Sequence, residues 1–463
     1  MTTEATSSRA AVEPLRAVLG DALRTDPAAL DAVRADKSGH LASAPPLAVV
    51  EARDISDVQA TLRFASEHGI PVVTRGAGTG LAGGAIGGAG EIVLSVRGMD
   101  RILEVSRDDE LAVVEPGIIN ADLNAALLDR GLWWAPDPAS RAISTVGGNI
   151  ATNAGGLLCV KYGVTREAVL GLKVVLADGR LVEFGRRTVK GVTGYDLTAL
   201  MIGSEGTLGV IVEATLKLRP LPKGTAVTVK AEFATIEQAA RAASVVSASG
   251  ITPAIMELLD PGAVRSIAVH LDIDLRDGAI VLSQTDGVGA AEEAASIADI
   301  MRSLGGDVEF TEDLEEARRL FDIRRAFHPS LEASGLTVLI EDVAVPRSAL
   351  PAMFASIERI ERKYGIQMPT VAHAGDGNLH PNFVFDAPRV DGHVEVPDHV
   401  WAAADELFLD CLRLGGTLTG EHGVGLLKRR WLRDELGDDS FALQQQIKQV
   451  FDPTGILNPG KIF

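Results

Sequence analysis

The feature that most restricts how this chain can fold is a run of glycine directly behind a strand-like segment. Residues 75–90 read RGAGTGLAGGAIGGAG, eight glycines in sixteen residues, after the apolar IPVVTR. Gly78, Gly80 and Gly83 formally satisfy G-x-G-x-x-G, the spacing of a dinucleotide-binding turn. Such a turn needs a helix at once behind it, because the helix N-terminus receives the pyrophosphate. Here Gly84, Gly87 and Gly88 follow, and each glycine costs a helix about 1 kcal/mol relative to alanine. The Rossmann reading is therefore rejected. A long loop of bare backbone N–H groups, able to approach an anion closely, is left. Alone, it fits a plain surface loop equally well.

Two further segments shift that balance. PDPASRAISTVGGNIATNAGG (136–156) and GYDLTALMIGSEGTLGVI (194–211) are also rich in small and hydrogen-bonding residues. Three such segments would suit one extended ligand bearing phosphates, hydroxyls and a heterocycle. Around them the chain alternates. LAVVEA, IPVVTR, EIVLSV, RILEVS, LAVVEPG, LKVVLADGRLVEF and LGVIVEATLKLRP read as strands. Residues 54–68 and NADLNAALLDRG read as helices, so an α/β pattern is expected. Arg219-Pro220-Leu221-Pro222 punctuates it as a domain boundary. Beyond come an alternating strand TAVTVKAEF, an Ala-rich helix over 236–249, strands PAIMELLD and AIVLSQTDG, and a helix over 290–304. This β-α-β-β-α order predicts an antiparallel, ferredoxin-like α+β domain. Residues 1–41 read as a helical segment of their own.

Composition closes off other classes. The chain has 463 residues, 46% of them hydrophobic, so it is long enough for two or more cores. A net charge of −19 argues against general nucleic-acid binding. No stretch is long and apolar enough to span a bilayer, and MTTEATSSRAAVEPL lacks the apolar region of a secretory signal. Cys159 and Cys411 form no framework, which fits a reducing, cytoplasmic address.

Histidines are few, nine in all, so their placement carries weight. His373 and His380 bracket AGDGNL. In a straight strand an offset of seven puts side chains on opposite faces, but Gly375-Asp376-Gly377-Asn378 is strong turn chemistry. A hairpin there lets both rings converge. Glu421 in TGEHGVG offers a carboxylate, and His422 beside it points the other way in extended backbone. A His-His-Glu set leaves open positions for substrate oxygens and suits Zn, Mn or Fe. A lone histidine is more often structural; two around a GDG turn, with a Glu-His pair, are a more specific signal.

With VVTRGAGTGLAGGA, STVGGNIATNAGG, GYDLTALMIGSEGTLGVI, HAGDGNLHPNF, TGEHGVGLLKR and DPTGILNPGKIF in that order, residues 47–463 resemble the FAD-linked oxidase family of the p-cresol methylhydroxylase/vanillyl-alcohol oxidase fold. The likeness is greatest to its D-lactate dehydrogenase, glycolate oxidase flavin subunit and D-2-hydroxyglutarate dehydrogenase branch. It implies an α+β architecture: an FAD-binding domain over 42–220, a ferredoxin-like substrate (cap) domain over 221–415, and a C-terminal segment, 416–463, returning to the FAD domain. The first loop, with Arg75, Gly76, Ala77, Gly78, Thr79, Gly80, Gly83 and Gly84, would hold the pyrophosphate. Pro136, Ser140, Thr145, Gly148, Asn149 and Ala151 would line the flavin, and Gly206, Ile211 and Asn458 would also contact the cofactor. Neither of the first two segments contains a histidine, so the FAD is expected to be non-covalent. The resemblance assigns His373, His380 and Glu421 as ligands of a divalent metal, zinc foremost, with Asn382 on the substrate and His422 as base. Arg324, from the pair Arg324-Arg325, would bind the substrate carboxylate bidentately.

The implied reaction oxidises a small D-2-hydroxy acid, lactate- or glycolate-like, to the 2-oxo acid by hydride transfer to flavin N5. A metal on the hydroxyl lowers its pKa and neutral His422 accepts the proton. A D-2-hydroxyglutarate-type substrate is the alternative, yet VLIEDVAVP lacks a further lysine and carries Glu341-Asp342 instead. An oxidase using oxygen, a metal-dependent hydrolase and a non-catalytic binding module are the rivals. The last two leave the glycine-rich segments or the metal constellation without a purpose. The electron acceptor (quinone, cytochrome, electron-transfer flavoprotein or partner subunit), peripheral contact with the inner membrane face and homodimer formation are left open by the sequence.

Overall fold

The computed structural model describes residues 2–387, 389–390 and 393–463; Met1, the start of the expected N-terminal segment, lies outside them. The chain divides into two compact units. The first comprises the chain up to Gly155, Gly163–Leu221 and Glu421–Phe463, and the second Gly156–Tyr162 and Pro222–Gly420. The change at Leu221/Pro222 falls inside the proline-punctuated run. Residues 416–420 stay with the second unit, so the C-terminal return begins at Glu421.

In the first unit, Ala48–Glu51, Ile92–Ser95 and Val72–Arg75 lie parallel, with Leu23–Arg24 antiparallel at one edge. Parallel pairing needs a crossover, and the helix Ile55–His68 supplies it. Asp54 starts that helix by accepting the N–H groups of Ser56 and Asp57, and Gly69 ends it at φ 63°. Its buried face, Val58, Leu62 and Ala65, meets the sheet. The N-terminal residues join the same core rather than standing apart. Val12, Leu15 and Leu19 of the helix Thr2–Leu19 pack in that cluster, each contributing roughly 1.5–3 kcal/mol by burial. A second, five-stranded antiparallel sheet runs in the order Ile102–Ser106, Leu111–Val114, Val210–Lys217, Val169–Val175, Leu181–Gly185.

The second unit is built on one antiparallel sheet in the order Asp307–Thr311, Val227–Phe233, Ala279–Thr285, Ile255–Leu259, Thr370–His373, Asn378–Phe385, Thr337–Ile340. Between its strands Ile255–Leu259 and Ala279–Thr285 stands a helix, Pro261–Leu271, absent from the sequence expectation. Asp260 caps it through the Ala263 N–H and Pro261 occupies its first turn, where no donor is needed. The resulting order is β-α-β-α-β-α-β.

Candidate active site

The first loop behaves as its glycines require. No helix follows Val72–Arg75 before Ile92. Gly78 and Gly83 have φ of 69° and 79°, which glycine adopts without strain. A Cβ at Gly76 would strike Thr145 Oγ1, and one at Gly78 would strike the Arg75 guanidinium. Arg75 is therefore folded under its own loop, where Nη1 donates to the Ala85 carbonyl at 2.7 Å; Ala77, Thr79 and Gly80 lie in the same turn-rich stretch.

The second segment contains a helix that glycine propensity hides, Val146–Thr152. Thr145 caps it, its hydroxyl accepting the Gly148 N–H at 3.1 Å. Gly147 fits because its Cα lies against Pro116, whose Cβ would be 2.5 Å from an added methyl. Pro136 accepts from Asn120 Nδ2 at 2.9 Å, and the Ser140 carbonyl closes a turn by accepting from Ile143 and Ser144. The third segment is tied to the second, since Glu205 N donates to the Ala151 carbonyl at 2.8 Å. Gly206 lies against Thr74 and Asn458. Asn458 returns on the tail, Nδ2 donating to the carbonyls of Gly84 and Glu205 at 2.9 and 2.7 Å. Ile211 is a strand residue whose side chain belongs to the core.

The three segments and the tail thus meet within the first unit. Where they meet, Thr74 Oγ1, Ser144 Oγ, Asn149 Nδ2 and Asn458 Oδ1 are buried with no hydrogen-bond partner among the described residues. Native interiors seldom leave such groups unpaired. Donors and acceptors set among bare glycine backbone fit a polar, phosphate-bearing cofactor.

Glu205 was not foreseen. Its carboxylate accepts from Val424 and Gly425 N–H at 2.7 and 2.8 Å. Burial pushes it up to about 7, against the pull of those two N–H groups and of Lys428. It thereby fixes the backbone just after Glu421 and His422, and both of those residues are partly buried.

In the second unit, Thr370–His373 and Asn378–Phe385 form the hairpin around the GDG turn. His380 pairs across the strands with Val371, and His373 lies two residues from Val371. Cross-strand partners share a face, as do residues i and i+2, so both imidazoles project from one side. Their ring centroids are 5.0 Å apart at 83°. His373 and His380 thus offer two imidazoles on one face of the second unit, while Glu421 opens the returning segment of the first. Asp342 sets where Glu421 begins. Fully buried, it accepts from Asn378 Nδ2 at 2.8 Å, Thr419 Oγ1 at 2.7 Å and Gly420 N at 2.7 Å. An added methyl at Gly420 would strike the Asn378 amide. Asp342 thus pins the segment that leads to Glu421.

Glu257, also unforeseen, stands opposite His373 in the register. Its oxygens meet His373 Nδ1 at 2.6 Å and Arg324 Nε at 2.8 Å. Burial raises its pKa, but the His373 and Arg324 charges outweigh this and hold it below the usual carboxylate range. Arg325, by contrast, is half exposed and pairs with Asp322 in its own helix. Asn382 is buried, Nδ2 donating to the His380 carbonyl at 2.7 Å, while Oδ1 has no partner among the described residues. A sole charge in an otherwise apolar strand, IMELL, was the available signal for Glu257.

Two family models match the chain. Residues 46–185 match the model of an FAD binding domain, and residues 223–462 match the C-terminal domain of FAD linked oxidases. The chain belongs to the FAD-linked oxidase family. It is an FAD-linked oxidoreductase, similar to glycolate oxidase subunit GlcD of Bacillus subtilis (40% identical, 90% of this chain and 89% of the relative). It is also similar to D-lactate dehydrogenase of Archaeoglobus fulgidus (36% identical, 93% and 95%). Its fold matches p-cresol methylhydroxylase at a TM-score of 0.80, 18% identical, over 99% of this chain and 97% of that one.

Proposed function

We propose that this protein is an FAD- and metal-dependent dehydrogenase that oxidises a small D-2-hydroxy acid, lactate- or glycolate-like, to the 2-oxo acid. The observation that carries the reading is the pair of imidazoles on one face of the hairpin, ring centroids 5.0 Å apart, beside an arginine whose partner carboxylate also holds one of those imidazoles. The relatives' names, glycolate oxidase subunit and D-lactate dehydrogenase, support the substrate class.

When bound, FAD supplies the hydride acceptor and a divalent metal, with Zn favoured over Mn or Fe, supplies Lewis acidity toward the 2-hydroxyl. His373, His380 and Glu421 would hold the metal. Arg324 would grip the substrate carboxylate, with Asn382 Oδ1 as a second polar contact on the substrate. The hydroxyl proton passes to an imidazole nitrogen of His422 acting as general base. Arg75 and Gly76–Gly84 would hold the pyrophosphate, chiefly through backbone N–H groups. Pro136, Ser140, Thr145, Gly148, Asn149, Ala151, Gly206, Ile211 and Asn458 would surround the remainder, without a covalent histidine link. Glu341 and Asp342 are buried, where a second substrate carboxylate would meet negative charge, so a monocarboxylate is preferred over hydroxyglutarate. Electrons leave to a quinone, a cytochrome, an electron-transfer flavoprotein or a partner subunit. No described helix is long and apolar enough to cross a membrane; we place the protein in the cytoplasm, with any membrane contact peripheral.

The test is anaerobic bleaching of the flavin by a panel of D- and L-2-hydroxy acids, with and without a chelator. Bleaching by D-lactate or D-glycerate-sized acids and by glycolate, lost with chelator, is expected. A colourless protein that releases no FAD on denaturation contradicts the reading.

A further inference from the structure

We propose that Glu257 is a positioning residue that sets two parts of the site at once: the tautomer of His373 and the aim of Arg324. The inference rests on the reading of His373 as a metal ligand and Arg324 as the carboxylate-binding group.

Glu257 lies in the strand Ile255–Leu259, every residue of which is buried. It shares a face with Ile255 and Leu259, which pack in the apolar cluster with Phe321 and Phe327. Folding alone gives no reason for a carboxylate there. Removing an ion from water costs several kcal/mol, and apolar residues of similar size commonly serve a core as well or better. The expense is understandable if the charge has work to do on its neighbours.

Its two oxygens are divided between two groups. One is 2.6 Å from His373 Nδ1. A carboxylate can only accept, so Nδ1 carries the hydrogen and Nε2 keeps its lone pair for a metal. The other accepts from Arg324 Nε at 2.8 Å. A guanidinium held at Nε keeps its terminal Nη edge as a two-pronged donor for a substrate carboxylate. The spacing is set by the sheet, because Glu257 and His373 are direct partners in adjacent strands, whereas Arg324 ends the helix Leu314–Arg325. One side chain therefore ties the metal-binding ring to the substrate-binding cation, and disturbing it moves both functions together.

The test uses the FAD-loaded full chain, stripped of metal, titrated with Zn²⁺ or Mn²⁺ against a chromophoric chelator. KM and kcat are measured in parallel. Glu257→Gln should raise the metal dissociation constant about 10–100-fold and raise KM for the hydroxy acid, with FAD content unchanged. Glu257→Asp keeps the charge but cannot span both partners, so it should show the same paired loss even if the glutamine variant folds poorly. Arg324→Gln should raise KM while shifting the metal constant less than Glu257→Gln does. A metal constant within twofold of wild type in a folded Glu257 variant overturns the proposal, as does a weakened metal with KM unmoved. Wild-type protein with no affinity for either ion instead overturns the metal reading itself, and Glu257's role with it.

Discussion

The cofactor cradle of the first unit and the polar cluster of the second solve recognition in opposite ways. The cradle is mostly backbone. Glycines at 76, 78 and 147 are needed because a Cβ would strike Thr145, Arg75 or Pro116, and on the proposed reading the bare N–H groups do the binding. The second cluster is mostly side chains: Glu257 holds both His373 and Arg324, His380 meets His373 edge to face, and Asp342 holds Asn378. A backbone site is specified by what must be missing, and a side-chain site by what must be paired. Substitutions should therefore fail differently in the two places.

The largest effect is expected from adding bulk to the cradle. Gly78→Leu places a side chain at φ 69° and against Arg75. It should leave the purified protein largely free of FAD, read from the flavin absorbance per chain; full FAD content would remove that loop from the cofactor site. Next is Asp342→Ala, which deletes three charge-assisted hydrogen bonds that position Gly420 and Asn378. With hydrogen bonds to charged groups worth about 1.5–3 kcal/mol each, metal affinity should fall roughly 100-fold or more while FAD stays bound. Equal loss of both would erase the contrast between the regions. Smaller still, Arg324→Lys keeps the charge but loses the fork. KM for the hydroxy acid should rise about tenfold with kcat less affected, and an unchanged KM would take Arg324 off the substrate.

A further test concerns pH. Glu205 is pushed from 4.5 to about 7 when folded, chiefly by burial. The folded form keeps the proton where the unfolded chain has lost it, so this group's stabilisation is complete below about 4.5 and declines as pH rises through about 7. At about 1.4 kcal/mol per unit, the shift is worth on the order of 3 kcal/mol. Melting temperatures of wild type and Glu205→Gln between pH 4.5 and 8 should diverge, wild type losing more with rising pH. Parallel curves would show that Glu205 has an ordinary acidity.

Much of this was legible in the sequence, and the gaps have a physical pattern. The glycine-rich segments and the His373/His380 hairpin were readable because turn chemistry and backbone freedom are local properties. The helix Pro261–Leu271 was passed over although Asp260-Pro261 is a capping signal. The helix Val146–Thr152 was hidden, since two glycines in its first turns argue against it, and the close approach of Pro116 to Gly147 and of Thr145 to Gly148 accounts for them. The roles of Glu205, Glu257 and Asp342 were not legible, because their partners lie far along the chain, such as His373 for Glu257 or Val424 for Glu205. Periodicity assigns a residue to a face, but register decides whom it meets. The absence of lysine near Glu341-Asp342 was seen, while Asp342's hold on Gly420 was not.

The most direct test of the central claim compares wild type and His373→Ala under anaerobic conditions, reading bound FAD, bound metal and the rate of flavin bleaching by D-lactate and glycolate in the same samples. The account predicts equal FAD content, metal lost from the variant, and bleaching slowed about 10³-fold or more, as removal of several kcal/mol of Lewis-acid stabilisation requires. Bleaching at the wild-type rate in a metal-free variant, or loss of FAD from it, would contradict the account.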